Sequence, residues 1–251
     1  MLPRLRLITF VLTLGACGNA VSVVPEDAAT TSPPTTEATV APTTVPPTTS
    51  APTTVPPTTV APTTTSVPST PTTVDAASLP RRGSGEFRPA TDITFEIDGS
   101  PMIELTIAVE DGAGVDLDEL TDFVTATLTD PRGWRGRGAG FRLVDSGGLF
   151  TLVVATPDTV DGLCRPLQTV GRFSCARNGW IALNLLRWET ATDDWPADLD
   201  TYRRYLVNHE IGHYIVGPDH VSCPAAGQPA PVMMQQTKGL DGCVANGWVD
   251  P

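Results

Sequence analysis

Residues 209–220 of the chain read HEIGHYIVGPDH. His209 and His213 are four positions apart, so on a helix they lie one turn apart on the same face. Two imidazoles in that arrangement can bind one zinc ion at about 2.0–2.1 Å. Glu210 lies beside them, where its carboxylate can take a proton from a zinc-bound water molecule and return it to a leaving amine. The pattern therefore predicts a zinc-binding helix with hydrolytic chemistry.

Two residues compete for the position of a third zinc ligand. His220 lies seven positions after His213, and Gly217 between them can adopt the positive φ with which a helix ends and the chain turns back. Asp219 lies six positions after His213, and its carboxylate is also a suitable ligand. We favour His220 because a turn at Gly217 would bring it back towards the two helix histidines. The three histidines of the chain all fall within this one segment, which a random scatter would not produce.

The segment PVMM at positions 231–234 completes a resemblance to the metzincin zinc peptidases. The spacing H-E-x-x-H-x-x-x-G-x-x-H is that of the archaemetzincins, which have a cysteine after the third histidine where this chain has Val221. The resemblance implies a twisted mixed sheet with an edge strand, an active-site helix, and a methionine turn that places Met233 or Met234 beneath the metal. It also implies that an edge strand near residues 181–186 binds an extended peptide.

A second resemblance covers most of residues 80–251. The chain is similar to the DUF3152 domain, an actinobacterial family whose zinc peptidase activity is itself inferred from the motif. The matching stretches are DPRGW at 130–134, residues 156–164, YRRY at 202–205, HVSCP at 220–224, and residues 229–243 with QQTKGLDG. This resemblance supports the fold and the zinc site, and it implies no particular substrate.

The hydrophobic pattern outside the motif predicts an α+β domain. Strand-like patterns occupy residues 93–97, 102–109, 150–155 and 180–188. Asp116 and Asp198 precede helical patterns as N-caps, and Pro131 ends the first of these helices. Trp180 and Trp188 flank the expected edge strand, and we favour core packing over substrate contact for both.

Four cysteines in the domain indicate an oxidising compartment. Three pairings are open, and we favour Cys164 with Cys175 and Cys223 with Cys243 because each closes a short loop. Such loops contribute about 3 kcal/mol each to stability. A metal site formed by four cysteines is the alternative, but no Cys-x-x-Cys spacing supports it.

The N-terminal third of the chain indicates export rather than folding. Residues 1–16 have the basic start and short apolar core of a signal peptide, and LGAC at 14–17 resembles a bacterial lipobox. Cys17 is then the lipidated residue that holds the protein to a membrane. Residues 17–79 form a Thr- and Pro-rich stalk with too few apolar side chains to fold. We therefore expect a lipid-anchored protein on the outer side of a bacterial cell membrane, with one domain at residues 80–251.

The charge of that domain limits its partners. Residues 80–251 contain 24 acidic against 14 basic side chains, which argues against nucleic acid as a partner. We expect a monomeric zinc peptidase acting on peptides or proteins. The alternatives are a non-catalytic surface module stabilised by zinc, and a hydrolase of cell-wall peptide crosslinks.

Overall fold

The computed structural model describes residues 74–251, which form an α+β fold with one mixed sheet and a few helices. The strands are β1 Phe87–Pro89, β2 Glu96–Ile97, β3 Met102–Glu110, β4 Gly140–Leu143, β5 Phe150–Ala155, β6 Cys175–Arg177 and β7 Trp180–Asn184. The α-helices are α1 Leu117–Thr129, α2 Pro157–Leu163, α3 Leu185–Thr190 and α4 Leu199–Ile215. The expected signal peptide, Cys17 and most of the expected stalk lie outside the described residues.

The sheet has the strand order β2-β4-β3-β5-β7-β6, with β1 beside the end of β3. Strands β4, β3, β5 and β7 are parallel, whereas β2 and β6 run antiparallel to their neighbours at the two ends. The strand β6 is therefore an edge strand of reversed direction.

Side chains alternate between the two faces of the sheet, as strand geometry requires. On β3, Ile107 and Val109 join the larger core with α1 and α4, whereas Ala108 joins a smaller core with Val160 of α2. The central strands are buried on both faces, which explains why their sequences are almost continuously apolar.

The two predicted N-caps are confirmed. Asp116 accepts hydrogen bonds from the backbone of Asp118 and Glu119 at 2.9 and 3.0 Å, and Asp198 accepts one from Thr201 at 2.7 Å. The helix α1 ends at Thr129, two residues before Pro131. A proline disfavours helical backbone in the residue before it, which accounts for this end.

The expectation of one strand over residues 180–188, with its edge at 181–186, is wrong. The strand β7 ends at Asn184, whose side chain accepts a hydrogen bond from the Leu186 N–H at 3.0 Å and so caps α3. In addition, β7 lies between β5 and β6, so it has no free edge. The strand at this edge of the sheet is β6, which is only three residues long and carries too little pattern to be recognised in the sequence.

Both favoured disulfides are present. Cys164 and Cys175 join the end of α2 to β6, with Cα atoms 6.0 Å apart, and Cys223 and Cys243 are joined with Cα atoms 5.7 Å apart. Two such bridges indicate an oxidising, extracytoplasmic environment. None of the helices within residues 74–251 combines the length and the apolar composition of a membrane-spanning segment.

Candidate metal centre

The helix α4 carries polar side chains into the core of the protein. Residues 205–212 are all buried, and they include Asn208, His209 and Glu210. Buried polar groups are normally hydrogen-bonded, and the side chain of Asn208 donates to the Gly247 carbonyl at 2.8 Å. The segment from residue 231 to the C-terminus thus supplies partners for some of the polar groups of the helix.

The three histidines meet at the C-terminal end of α4. The ring centroid of His209 lies 4.9 Å from that of His213 and 5.2 Å from that of His220, and the last two are 4.9 Å apart. One ring nitrogen of each histidine lies within 4.8 Å of the corresponding nitrogen of the other two. Three nitrogens at this separation can hold one metal ion.

Backbone carbonyls orient two of the imidazoles. Nδ1 of His209 lies 2.8 Å from the Val232 carbonyl oxygen, and Nδ1 of His213 lies 3.1 Å from that of Gly217. When Nδ1 donates to these carbonyls, Nε2 keeps its lone pair for a metal.

Burial favours the neutral, metal-binding form of two of the imidazoles, His209 and His220. It lowers the pKa of His209 to about 3, because the charged ring would lose its hydration. The pKa of His220 is lowered first by burial and then by the neighbouring charges of His213 and Lys238, while Asp219 opposes the shift.

Glu210 is one of three buried polar side chains among residues 74–251, with Asn184 and Asn208, that have an atom without a hydrogen-bond partner. Its side chain is buried, and Oε2 has no hydrogen-bond partner among residues 74–251. Burial raises its pKa to about 8. An orphaned carboxylate oxygen beside three convergent imidazoles fits a site that is completed by a metal ion and a water molecule or substrate.

The turn after α4 brings His220 back to the helix. Gly217 has φ +103°, which an L side chain rarely adopts, and it reverses the chain directly after the helix cap. The Val221 N–H then donates to the Met233 carbonyl at 3.2 Å and fastens the returning segment. His220 thereby joins the metal-binding group, whereas the exposed Asp219 does not belong to it.

The two methionines occupy different places. The Met233 side chain contacts α4 at Gly212, where an added Cβ atom would overlap with Sδ of Met233 and with the ring of Trp134. Met234 packs in a separate small cluster with Ala230 and Cys243. The sequence left this choice open, and the structure places Met233 against the histidine-bearing helix.

An open cleft of about 360 Å³ lies above the histidines. The three histidines and Glu210 form its floor together with Tyr205, and residues 174–177, which include the edge strand β6, line it together with Lys238. Neither Trp180 nor Trp188 is among the residues that line this cleft; Trp180 packs on Phe87, and Trp188 is buried in the core.

Sequence reasoning missed β6, Tyr205 and Lys238 as residues of the cleft. Tyr205 carried the one available clue, since it precedes His209 by one helical turn on the same face. Lys238 carried another, because it is the single lysine of the chain. A three-residue strand leaves no comparable trace.

The comparisons with known proteins give a family but no activity. No curated protein and no solved structure matches the chain. The family described as a protein of unknown function, DUF3152, matches residues 73–247, which include the histidine cluster, the edge strand and both disulfides. This chain therefore belongs to the DUF3152 family.

Proposed function

We propose that this protein is a zinc-dependent peptidase with a metzincin-like fold. The observation that carries the proposal is the convergence of three imidazoles beside the unpartnered side chain of Glu210 in an open cleft. A purely structural site would have no need for a buried carboxylate whose oxygen lacks a partner.

The donor set fits zinc. Three imidazole nitrogens are a common protein ligand set for catalytic zinc, and they leave a coordination position open. The four domain cysteines are joined in disulfides, so they are not available as further ligands. Zinc, when bound, lowers the pKa of a coordinated water molecule to about 7 and polarises the scissile carbonyl group.

Glu210 is the proposed general base and acid. Its Oε2 accepts a proton from the water whose oxygen attacks the carbonyl carbon of the scissile peptide. The same carboxyl group then donates that proton to the amine nitrogen as the carbon–nitrogen bond breaks. Burial raises the pKa of Glu210 and makes its carboxylate a stronger base, and the positive charge of a bound zinc ion would favour the ionised form that accepts the proton.

The strand β6 is the proposed docking edge for the peptide. It pairs with β7 on one side only, and residues 174–177 line the cleft next to the histidines. An extended peptide can add to such an edge by backbone hydrogen bonds, which holds it independently of most of its side chains. We therefore assign the binding of an extended peptide to β6 instead of to residues 181–186.

The proposed location is the outer face of a bacterial membrane, to which the protein is attached through lipid at Cys17. The disulfides support an extracytoplasmic domain. Residues 17–79 would act as a tether that gives the cleft a range of positions above the membrane.

The substitution Glu210→Gln tests the proposal. We expect the variant of the full chain to bind one zinc ion per molecule, measured by elemental analysis, and to lose hydrolysis of a mixed peptide library by about 10²–10⁴-fold. Glu86→Gln, at an exposed position outside the cleft, is the matched control and should hydrolyse as the unchanged protein does.

Two results would reject the proposal. Undiminished hydrolysis by the Glu210→Gln variant would exclude this carboxylate from the reaction. If the zinc-loaded wild-type protein cleaves no peptide in the library, the result would favour the alternative of a binding module stabilised by zinc.

A further inference from the structure

The single lysine of the chain lies on the wall of the cleft. Lys238 ends a short 3-10 turn at Gln236–Lys238, a few residues after the methionines, and its side chain is exposed. Nζ donates to Oε1 of Gln235 at 2.9 Å and lies 5.4 Å from the centroid of the Phe173 ring. Phe173 lies in the segment that leads into β6. The ammonium group of Lys238 therefore lies near the β6 side of the cleft as well as its own side.

A second cation, Arg177, lies at the end of β6 and lines the same cleft. Neither Lys238 nor Arg177 forms an ion pair with any of the described residues. Glu210 is the one carboxylate among the residues that line the cleft, and it is buried at the floor.

This arrangement is unusual for a protein of this composition. The chain has a formal net charge of −12, so most of its surface repels anions. The cleft combines two unpaired cations with a site for a metal cation. A carboxylate would thus be attracted to the cleft and repelled by the rest of the domain.

We propose that Lys238, assisted by Arg177, binds a carboxylate of the substrate, so that the cleft selects acidic peptides. This inference rests on the proposed peptidase function, which supplies the peptide, and it adds the class of peptide. Lys238 and His220 line the same cleft, so a carboxylate bound by Lys238 would lie in the cleft that holds the histidines. The carboxylate can belong to an acidic side chain or to the C-terminus of the peptide.

The first experiment measures selectivity in hydrolysis. The peptide that the full chain cleaves best is synthesised with Glu or Gln at each position in turn, and with a free or amidated C-terminus. We expect kcat/KM to favour the Glu peptide at one position, or the free C-terminus, by about three- to fivefold, as an exposed ion pair provides. High salt should reduce the preference by screening.

Three variants assign that preference to Lys238. Lys238→Gln should remove it, Lys238→Arg should retain most of it, and Arg135→Gln, which removes the same charge at an exposed position outside the cleft, should leave it unchanged. Equal kcat/KM for the Glu and Gln peptides at every position and for both C-termini would overturn the inference while leaving the peptidase proposal intact.

The second experiment measures binding without hydrolysis. Reductive methylation with ¹³C-formaldehyde labels Lys238 and retains its positive charge, and its resonance is identified by its absence in Lys238→Gln. In the zinc-loaded Glu210→Gln background, an alanine-rich peptide with one Glu should shift this resonance at lower concentration than the matching Gln peptide. Identical titrations would overturn the inference, and a shift specific to Glu would support it even if no peptide were ever cleaved.

Discussion

At the scale of single residues, the site has two features that the motif alone does not reveal. Glu210 is buried without a partner for Oε2, and Gly212 lies between the two helix histidines with the Met233 sulfur directly against it. The first leaves a carboxyl oxygen beside the histidines without a partner among the described residues, as the proposed proton transfer requires. The second explains why the position between Ile211 and His213 is a glycine.

Gly212→Ala is expected to destabilise the protein. The added methyl group would overlap with Met233 and Trp134 in a packed core, which costs about 1–3 kcal/mol in the free energy of unfolding. Urea unfolding measures this loss. Gly162→Ala is the control, because it lies in α2 with no atom within 4 Å of the added Cβ atom, and it should be neutral or stabilising. Equal stability of the two variants would refute the packing argument.

The identity of the third ligand is testable at the same scale. His220→Ala should weaken zinc binding by more than the 10–100-fold that is typical when only a ligand's hydrogen-bonding partner is lost. Asp219→Ala should bind zinc nearly as well as the unchanged protein, because Asp219 is exposed and outside the group of convergent nitrogens. Competition with a chromogenic chelator measures both constants. The reverse order would assign the third position to Asp219.

At the scale of elements, each disulfide fastens a different wall of the cleft. The bridge between Cys164 and Cys175 holds β6 to the end of α2, whereas the bridge between Cys223 and Cys243 closes the segment that contains the methionines. Both cross-links reduce the conformational entropy of the unfolded chain, but they support different parts of the site.

Removal of the two bridges should therefore give different defects. The double substitution to Ala at Cys164 and Cys175 should raise KM for peptides and leave zinc affinity unchanged, because β6 carries no histidine. The same change at Cys223 and Cys243 should weaken zinc binding, because it frees the segment after His220. Each should also lower the free energy of unfolding by about 3 kcal/mol. Peptide kinetics and zinc titration on both variants separate these outcomes, and identical defects would contradict the division.

At the scale of the whole molecule, a second buried carboxylate connects distant parts of the chain. Glu110, at the end of β3, accepts hydrogen bonds from Gly85 N–H at 2.9 Å, from the backbone and hydroxyl of Thr156 at 2.7 and 2.8 Å, and from the Thr159 hydroxyl at 2.6 Å. Each of its oxygens is satisfied, in contrast to Glu210. It thus joins the N-terminal segment, the sheet and the start of α2.

Glu110→Gln should lower stability with little effect on the metal centre. The amide NH₂ of the glutamine would face the N–H and O–H groups that Glu110 accepts from, so at least one buried donor would lose its partner. This loss costs about 1–3 kcal/mol in the free energy of unfolding. Thermal and urea unfolding measure the loss. Glu104→Gln, which weakens an exposed ion pair with Arg142, should cost less than about 1 kcal/mol. A Glu110→Gln protein as stable as the Glu104→Gln protein would show that this carboxylate does not connect the three elements.

The sequence by itself was sufficient for most features that depend on local spacing, although the helix cap at Asn184 was missed. The i, i+4 histidines, the two N-caps, the helix end before Pro131, the short disulfide loops and the glycine turn each involve residues close in the chain, where geometry follows directly from sequence. The α+β class also followed from periodicity. The signal peptide and the lipid anchor at Cys17 remain predictions from such local patterns.

Only the tertiary structure decided which elements meet. It made β6 the edge strand in place of residues 181–186, placed Met233 rather than Met234 against α4, and brought Lys238 and Arg177 to the same cleft. These outcomes depend on strand order and on packing between residues far apart in the chain, and short segments carry no periodic signal of either. The candidate metal ligands thus follow from local spacing, while the residues that line the cleft around them are brought together by the fold.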